Sequence, residues 1–385
     1  MNLDLTAEQK LIQDTAREFA AAELAPIAAD LDRGENNEAF FSNLKKLAEL
    51  GFMGLNIHDQ YGGAEAGAVA FSVAVTEIAR ACASTAVTVS VNNMVNEVIQ
   101  ALGTEEQKKR YIPMICSGDS LAGAFGLTET GAGSDPAGMT TTAVLDGDQW
   151  VLNGSKIFIT SAPYAGVFVV WAVTDQKAPK GKGISLFLVE AGTKGLTIGK
   201  REAKMGQHAS STNEILFEDC RIPKSALMGK INDGFRVAVA ELGGGRIGIG
   251  SLGLGVGLAA MDFATRYSLE RVQFGRKISE FQAIQWKIAD IYTALEAARL
   301  LLMNAAFRKE QGRSFAKEAS MAKVFATETA NQACYQAMQI LGGYGYTQDF
   351  PIERYARDAR ITTIYEGTSE IQRLIISREI LRELS

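Results

Sequence analysis

Glu366 is the residue whose surroundings most suggest acid–base chemistry. It stands in the stretch TTIYEGTSEIQR, after Ile361, Ile364 and Tyr365 and before Gly367. At the end of such an apolar run a carboxylate can be held out of water. Burial raises the pKa of a glutamate from about 4.3 in water to roughly 6–7, where it is a better general base. The residues alone leave a second interpretation open, in which Glu366 packs at a helix N-terminus and is stabilised by the dipole.

Three other segments carry hydroxyls, glycines and a cation. FGLTETGAGSD (125–135) contains a glycine-rich turn whose N–H groups can bind a phosphate. KIFIT (156–160) supplies Thr160, and RVQFG (271–275) supplies Arg271, whose forked guanidinium suits a pyrophosphate. Each has an ordinary structural interpretation as well. A threonine is a favourable strand residue, the turn could be a plain surface turn, and the arginine could be a solvated helix charge.

The segment GIGSLG, Gly248 to Gly253, matches the G-x-G-x-x-G fingerprint of nicotinamide-dependent Rossmann oxidoreductases. That fingerprint needs a preceding strand, a following helix and an acidic residue about 20 positions later. Glu270 stands near this distance, but the preceding AVAELGGGRI is typical of a helical run broken by glycines. The sequence therefore favours close helix packing, or room for a ligand, over a Rossmann site.

Length and composition bound the fold and exclude some partners. A chain of 385 residues is longer than one core usually grows, which predicts two or three structural regions. Its 44 acidic and 39 basic residues give a formal net charge of −5, which argues against nucleic-acid binding because that function needs a basic surface. The 4 scattered cysteines predict no disulfide framework, and the 2 histidines argue against a histidine-rich metal site.

Two charge-free stretches approach the roughly 20 apolar residues that a membrane span needs. Thr329 to Gln348 is too rich in glutamine and glycine, and Ile157 to Thr174 is interrupted by Pro163 and Gly166. The start of the chain, MNLDLTAEQK, lacks the basic and apolar regions of a secretory signal. The prediction is a cytoplasmic protein, or one from the interior of an organelle, without a membrane span.

Helical periodicity dominates the first third of the chain. Thr6 and Gln9 have the spacing of a capping box, and an amphipathic pattern follows them. Further helices are predicted around Phe40 to Leu50, Ala68 to Cys82 and Glu105 to Met114.

Short β-rich runs occupy the region from Leu121 to about Pro223. Asn153-Gly154 lies between two such runs and predicts a hairpin turn. The runs VFVVWAV, GISLFLV and EILFEDCRIP predict further strands, and Lys177 to Lys182 predicts an exposed loop.

After Ala226 the helical period returns. Phe315 to Leu341 predicts one long helix that ends at Gly342-Gly343, and its charge-free second half predicts burial against other helices or across a subunit boundary. Three domains are predicted, at 1–120, 121–228 and 229–385.

Five motifs occur in order, FGLTETGAGSD, KIFIT, RVQFG, QILGGYGY (339–346) and IYEGTSEIQR (364–373). Within the helical–β–helical organisation they closely resemble the acyl-CoA dehydrogenase family over essentially the whole chain, most of all its short-chain (butyryl-CoA) members. The resemblance implies a mostly α fold with a central β domain. The implied domains are an N-terminal helical domain, a middle β domain and a C-terminal four-helix-bundle domain. The resemblance also implies that the protein assembles as a homotetramer.

The resemblance also implies a reaction. An acyl-CoA thioester is oxidised to a trans-2-enoyl-CoA, FAD is reduced, and the electrons pass to an electron-transferring flavoprotein. Glu366 takes the position of the base that removes the α-proton while a β-hydride passes to flavin N5. The thioester carbonyl is polarised by the N–H of this glutamate and a ribityl hydroxyl, as in an oxyanion hole. Gly367 lets the substrate approach the backbone.

By resemblance, Thr128 and Thr160 hydrogen-bond the flavin ring, Phe158 packs against it, and Ser134 touches both cofactor and CoA. The FAD that is bound mainly by a neighbouring subunit is reached by a second group, which consists of Arg271, Gln273, Phe281, Gln282, Gln339, Gly342 and Gly343. The cofactor-binding positions are Phe125, Leu127, Thr128, Gly133, Ser134, Phe158, Thr160, Arg271, Gln273, Phe281, Gln282, Gln339, Gly342, Gly343, Thr368 and Glu370. The substrate-binding positions are Ser134, Leu242, Gly243, Arg246, Tyr365 and Gly367.

Three positions bear on how far the resemblance extends. Gly245 matches a small residue typical of short-chain members, and some relatives place their catalytic glutamate on this segment instead. Relatives often have an aspartate at Gly243 that contacts the pantetheine, so CoA binding is expected to differ in detail. Phe158 stands where many relatives have tryptophan.

Alternatives remain open at this level. The same chemistry could act on a branched acyl-CoA, such as 2-methylbutyryl-CoA or isobutyryl-CoA, because one methylene is worth only about 1–3 kcal/mol of discrimination. A direct oxidase would share these motifs. A non-catalytic CoA-binding scaffold would be favoured by a missing base, and Glu366 is present.

Overall fold

The computed structural model describes residues 4–385, apart from the side chains at positions 237 and 239–242. The first helices are α1 (Ala7–Phe19), α2 (Ala28–Asp32), α3 (Asn37–Glu49), α4 (Gly67–Ala81), α5 (Ala83–Leu102) and α6 (Glu105–Cys116). The strands of the main sheet are β1 (Ala122–Gly126), β2 (Thr142–Asp146), β3 (Gln149–Thr160), β4 (Ala165–Val173), β5 (Ile184–Glu190), β6 (Leu196–Arg201), β7 (Thr212–Pro223) and β8 (Leu227–Met228).

The chain then returns to helices. The remaining elements are α7 (Gly234–Glu270), a small hairpin of β9 (Val272–Gln273) and β10 (Arg276–Lys277), α8 (Gln282–Glu310), α9 (Ala316–Leu341), α10 (Gly343–Tyr346), α11 (Ile352–Arg360) and α12 (Ser369–Leu384). The predicted order of helices, strands and helices is confirmed, as is the long helix predicted at 315–341. The domain boundaries themselves stay a prediction.

The N-terminal helices follow their sequence signals with one omission. The capping box of α1 is present, with the Gln9 N–H donating to Thr6 Oγ1 at 3.2 Å and the Thr6 N–H to Gln9 Oε1 at 3.0 Å. The helices predicted around residues 40–50, 68–82 and 105–114 are present. Helix α5 was not predicted, because its many valines and threonines are typical of strands. It forms a helix that is buried on nearly every side.

The sheet has the strand order β6-β7-β3-β2-β4-β5-β8, with β1 pairing in parallel with β4. The hairpin predicted at Asn153-Gly154 is wrong, because β3 runs through both residues. The turn is Gly147-Asp148, between the paired residues Asp146 and Gln149. Asn153 Oδ1 instead accepts the N–H of Asp219 at 2.8 Å, where the β3–β7 ladder shifts register. The Asn-Gly pair therefore marks a bulge and not a turn.

Helix α7 is the central helix of the C-terminal region, and its glycines allow close packing. The glycines at 243–245, whose pattern predicts a break in the helix, are helical, and Gly248 to Gly253 lies inside α7 without the preceding strand that a Rossmann site needs. A Cβ on Gly250 would lie 2.7 Å from Leu302 Cδ2 in α8, and one on Gly255 would overlap the backbone oxygen of Thr76 in α4. The glycines therefore bring α7 against its neighbours, and the packing interpretation is confirmed.

Four long helices, α7, α8, α9 and α12, form the predicted C-terminal bundle. The segment Gly243–Glu270 of α7 is long and apolar enough to cross a membrane by length and composition alone, but 83% of its most apolar window is buried inside the fold. Burial by neighbouring helices accounts for such a composition in a core helix. Outside the core, Trp286 of α8 and Tyr335 of α9 are exposed aromatic residues.

A polar network joins the three regions of the chain. Asp32 of α2 accepts hydrogen bonds from Arg357 of α11, with Nη1 to Oδ1 at 3.1 Å, and lies 3.0 Å from His208 Nδ1 in the β6–β7 connection. The N–H of Gln207 donates to the buried carboxylate of Asp358. Burial raises the pKa of Asp358 to about 6. The N-terminal helices, the sheet and α11 are thereby held in one arrangement.

The packing of α7 predicts the effect of Gly255→Ala. Helix propensity alone favours this change by about 1 kcal/mol, but the added methyl group would overlap the backbone of α4. We expect the free energy of unfolding to fall by about 1–3 kcal/mol, measured by urea denaturation. Gly253→Ala is the matched control, because the nearest atom to its Cβ is Thr327 Cγ2 at 3.3 Å, and its loss should be smaller. A stabilised Gly255→Ala variant would contradict the packing argument.

Candidate active site

Glu366 lies in the connection between α11 and α12, in the segment 365–368, which we name the Glu366 turn. Its φ is 53° and that of Gly367 is 88°, so two successive residues are left-handed. The Oε2 atom of Glu366 is buried and has no hydrogen-bond partner among the described residues. A Cβ on Gly245 of α7 would lie 2.9 Å from this oxygen and 2.9 Å from Met94 Sδ. The glycine therefore leaves the space that the carboxylate occupies.

The electrostatics of the turn favour a desolvated base. Burial raises the pKa of the Glu366 carboxyl, and the positive charges of Arg246 and Lys323 oppose this rise. Arg246 is itself buried, and its Nε has no partner among the described residues. Thr368 caps α12 by accepting the N–H of Ile371 at 3.3 Å, so the capping role does not fall to Glu366. The contacts thus support the buried carboxylate over the helix-terminus interpretation.

The remaining substrate positions have varied surroundings. Tyr365 accepts a hydrogen bond from Gln207 Nε2 at 3.2 Å, which ties the turn to the polar network. Gly243 faces the ring of Phe315, which would lie 3.1 Å from a Cβ there. The side chain of Leu242 lies outside the described residues.

Two residues that hold the Glu366 turn were not predicted from the sequence. Lys323 of α9 is fully buried and donates to the Gly367 oxygen at 2.8 Å. Gln372 of α12 is also fully buried, and its Nε2 donates to the oxygens of both Glu366 and Gly367 at 3.0 Å. A signal existed for the lysine, because at helical spacing it shares a face with buried alanines at 319, 326 and 330.

The predicted flavin-ring positions meet on β1, β3 and the loop after β1. The Ile157 N–H donates to the Thr128 oxygen at 2.9 Å, so the two segments are joined directly. Phe158 has a φ of 61° and is 61% exposed. Thr160 follows at the end of β3 and is half-buried, as is Thr128. An exposed aromatic ring and two half-buried threonines therefore belong to two segments that a backbone hydrogen bond holds together.

The other predicted positions of this group differ in exposure. The Phe125 ring packs 4.4 Å from that of Trp171, and Leu127 is buried. Gly133 and Ser134 are exposed in the turn after β1, and a Cβ on Gly133 would meet no atom of the described residues within 4 Å. The turn is therefore open to a ligand.

A buried ion pair, also not predicted, fixes the loop that carries Thr128. Lys156 of β3 is fully buried, and its Nζ donates to Glu129 Oε1 at 2.8 Å and to the Leu127 oxygen at 3.2 Å. Glu129 also accepts the N–H of Thr141 at 3.0 Å. Burial raises the pKa of Glu129, but the Lys156 charge and these hydrogen bonds outweigh it, and the pKa falls to about 2.

The second predicted cofactor group forms a separate cavity of about 480 Å³ beside β9 and the C-terminal end of α9. Among its lining residues are the predicted Arg271, Gln273, Gln339, Gly342 and Gly343. Two predicted residues fall outside this lining. Phe281 packs against Arg276, whose guanidinium lies 4.2 Å from the ring centroid, and Gln282 begins α8.

These residues fit a flavin dinucleotide. The exposed Phe158 ring and the hydroxyls of Thr128 and Thr160 suit a flat, hydrogen-bonding ring system, and the open turn at Gly133 and Ser134 suits a phosphate. Glu370 is exposed on the first turn of α12, next to the Thr368 cap. The cavity with Arg271 offers a separate cationic site for a diphosphate.

Comparison with known proteins identifies the class. The family models for the N-terminal, middle and C-terminal domains of acyl-CoA dehydrogenases match residues 6–119, 124–220 and 232–381. The chain belongs to the acyl-CoA dehydrogenase family, whose members are flavin-dependent oxidoreductases.

Three comparisons show how similar the chain is to particular members. It is 47% identical to the mitochondrial short-chain specific acyl-CoA dehydrogenase of Bos taurus, over 99% of this chain and 92% of the relative. The butyryl-CoA dehydrogenase structure from Megasphaera elsdenii has a TM-score of 0.95 and 38% identity, covering 99% of this chain and 100% of that one. A solved structure described as the electron transferring flavoprotein of Acidaminococcus fermentans includes a chain with a TM-score of 0.96 and 45% identity. The match covers 99% of this chain and 100% of that one.

The buried ion pair predicts the effect of Glu129→Gln. The change leaves the Lys156 ammonium buried without its counter-charge, so we expect the free energy of unfolding at pH 7 to fall by about 3–5 kcal/mol. Because the folded pKa of Glu129 lies below its ordinary value of 4.5, the wild-type contribution is present above pH 4.5 and is lost as the pH falls toward 2. Urea denaturation at fixed FAD concentration measures both effects.

The matched control is Asp146→Asn, which breaks an exposed ion pair with Arg221. Its expected cost is about 0–1 kcal/mol. Equal losses for the two variants would show that the buried pair does not hold the loop.

Proposed function

We propose that this protein catalyses the FAD-dependent α,β-dehydrogenation of a short-chain acyl-CoA to a trans-2-enoyl-CoA. The observation that carries the proposal is the buried Oε2 of Glu366, which has no hydrogen-bond partner among the described residues and lies against Gly245 within a fold of this family. A buried carboxylate oxygen without a hydrogen-bond donor is costly in a merely structural role and useful in a base. The relatives from Bos taurus and Megasphaera elsdenii support the short-chain substrate.

Glu366 removes the α-proton in the proposed mechanism. Its raised pKa makes the carboxylate a stronger base than an exposed glutamate, while Arg246 and Lys323 keep the ionised form accessible. The backbone N–H of Glu366 donates to the thioester carbonyl, where negative charge develops as the proton leaves. Gly367 has no side chain to obstruct the approach of the thioester, and Tyr365 and Arg246 bound the substrate end.

The cofactor positions divide their work. Thr128, Thr160 and Phe158 would hold the flavin ring, and Ser134 would contact both FAD and CoA. Thr368 and Glu370 would contact FAD from the turn that carries the base, so base and cofactor are positioned together. Bound FAD supplies the two-electron acceptor for the β-hydrogen.

We also propose the partners and the assembly. The electron acceptor is an electron-transferring flavoprotein, which the Acidaminococcus fermentans comparison supports. A homotetramer is supported by the cavity at Arg271, which would reach the FAD of a neighbouring subunit, and by the exposed Trp286 and Tyr335 on the bundle. Domains at 1–120, 121–228 and 229–385 and a cytoplasmic location complete the proposal.

An anaerobic visible spectrum tests the function directly. The FAD-loaded protein is expected to lose its flavin absorbance when butyryl-CoA is added. Loss of absorbance only with 2-methylbutyryl-CoA or isobutyryl-CoA would assign the branched substrate instead. Failure to bind FAD after reconstitution would overturn the proposal.

The role of the base predicts the effect of Glu366→Gln. The amide retains the shape of the side chain but cannot accept the α-proton, so FAD and acyl-CoA still bind while flavin reduction slows by a factor of about 10²–10⁴ or more. Stopped-flow absorbance with butyryl-CoA measures the rate. Glu383→Gln, at an exposed position on α12, is the control and should keep the wild-type rate. A Glu366→Gln variant with normal turnover would exclude this residue as the base.

Gly245→Ala tests the space reserved for the carboxylate. Its methyl group would lie 2.9 Å from Glu366 Oε2, so the carboxylate must move, and a displacement of about 1 Å can cost 10²-fold in rate. Gly244→Ala is the matched control, because its methyl group would meet Glu97 Oε2 at 2.9 Å and not Glu366. We expect flavin reduction to slow about 10²-fold in the first variant and to change only a few-fold in the second. Similar rates in both would refute the argument.

A further inference from the structure

Lys323 is a fully buried lysine at the point where α9 packs against α7. A Cβ on Gly250 of α7 would lie 3.4 Å from the Lys323 Cα, so the glycine lets the two helix backbones approach there. From this position the Lys323 Nζ donates to the Gly367 oxygen at 2.8 Å. A buried ammonium is costly unless hydrogen bonds and opposite charges compensate it. Both kinds of compensation come from the Glu366 turn.

The Glu366 turn is held through its carbonyl oxygens. The Gly367 oxygen accepts from both Lys323 and Gln372, and the Glu366 oxygen accepts from Gln372. The left-handed φ of 53° at Glu366 is unfavourable for a non-glycine residue and persists only where its surroundings enforce it. The orientations of the Glu366 side chain and N–H follow from this backbone conformation, and hence from these hydrogen bonds.

We propose that Lys323 is a positioning residue for α-proton abstraction, whose ammonium fixes the Gly367 carbonyl and keeps the Glu366 carboxylate ionised. The inference rests on the proposed function, in which Glu366 is the base. In this proposal the lysine does more than pack. Its hydrogen bond sets the direction of the Glu366 carboxylate, and its charge sets the protonation state of that carboxylate.

The charges around Lys323 determine in which direction the pKa of Glu366 changes when the lysine charge is removed. It is faced by Glu366, by Arg246 of α7, by Glu328 on its own helix and by Glu370 of α12. Burial lowers the pKa of Lys323 to about 8 while the Glu366 charge opposes the shift, so the ammonium is charged at neutral pH. Arg246 and Lys323 are the cations that lower the pKa of Glu366. Loss of the lysine charge therefore raises that pKa, and the base ionises only at higher pH.

Lys323→Met tests the proposal in the FAD-loaded enzyme with butyryl-CoA. Methionine is similar in length and apolar, so it fits the buried site without a charge or a donor. We expect kcat to fall and the acid limb of the kcat/KM profile to move up by about 1 pH unit, with FAD content and KM changed little. The control is Lys317→Met on the same helix as Lys323, which removes an ion pair with the exposed Glu383 of α12 and should leave the acid limb in place.

An acid limb at the wild-type pH in Lys323→Met overturns the proposal, whatever the loss of rate, because a purely structural lysine would change stability without moving this limb. If Lys323→Met does not fold with FAD, Lys323→Gln takes its place, since it keeps a donor and still removes the charge. The proposed function itself is tested by the wild-type protein, and it is wrong if that protein does not reduce its flavin with butyryl-CoA.

Discussion

The Glu366 carboxylate lies among α7, α9 and the start of α12, with one oxygen that no described residue hydrogen-bonds. Taking such a group out of water costs several kcal/mol unless nearby charges compensate it. Arg246 and Lys323 supply that compensation from two different helices. The arrangement works only if both cations are themselves buried close by, so the position of one carboxylate constrains how three helices pack.

Close packing around α7 satisfies this constraint. Glycines along the helix let α4, α8 and α9 approach its backbone, and Gly245 leaves the space that the carboxylate fills. The same helix is therefore both the packing axis of the C-terminal region and one wall of the candidate site. A side chain at position 245 and the carboxylate of Glu366 would compete for the same volume.

How much the sequence predicts depends on whether a signal is local. The capping box at Thr6, the long helix α9 and the order of helices and strands all follow from patterns within a few turns of chain. The turn predicted at Asn153-Gly154 was wrong because a local turn signal cannot reveal that β7 pairs with β3 on both sides of these residues. Lys323 was missed because a helical lysine is normally solvated, and only the packed structure brings it to the Gly367 oxygen. The motif resemblance brought Glu366 and Arg246 to one site, but not the residues that hold the turn.

The contact between Asp32 and Arg357 joins residues 325 positions apart. During synthesis the N-terminal helices emerge from the ribosome long before α11 exists, so until then Asp32 lacks the guanidinium of Arg357 and, of these two partners, has only His208. Contacts of such long range form late and slowly. The nascent chain therefore completes this ion pair only in the last stage of its synthesis, and a chain that stopped before α11 would lack the contact that ties its N-terminal helices to the C-terminal region.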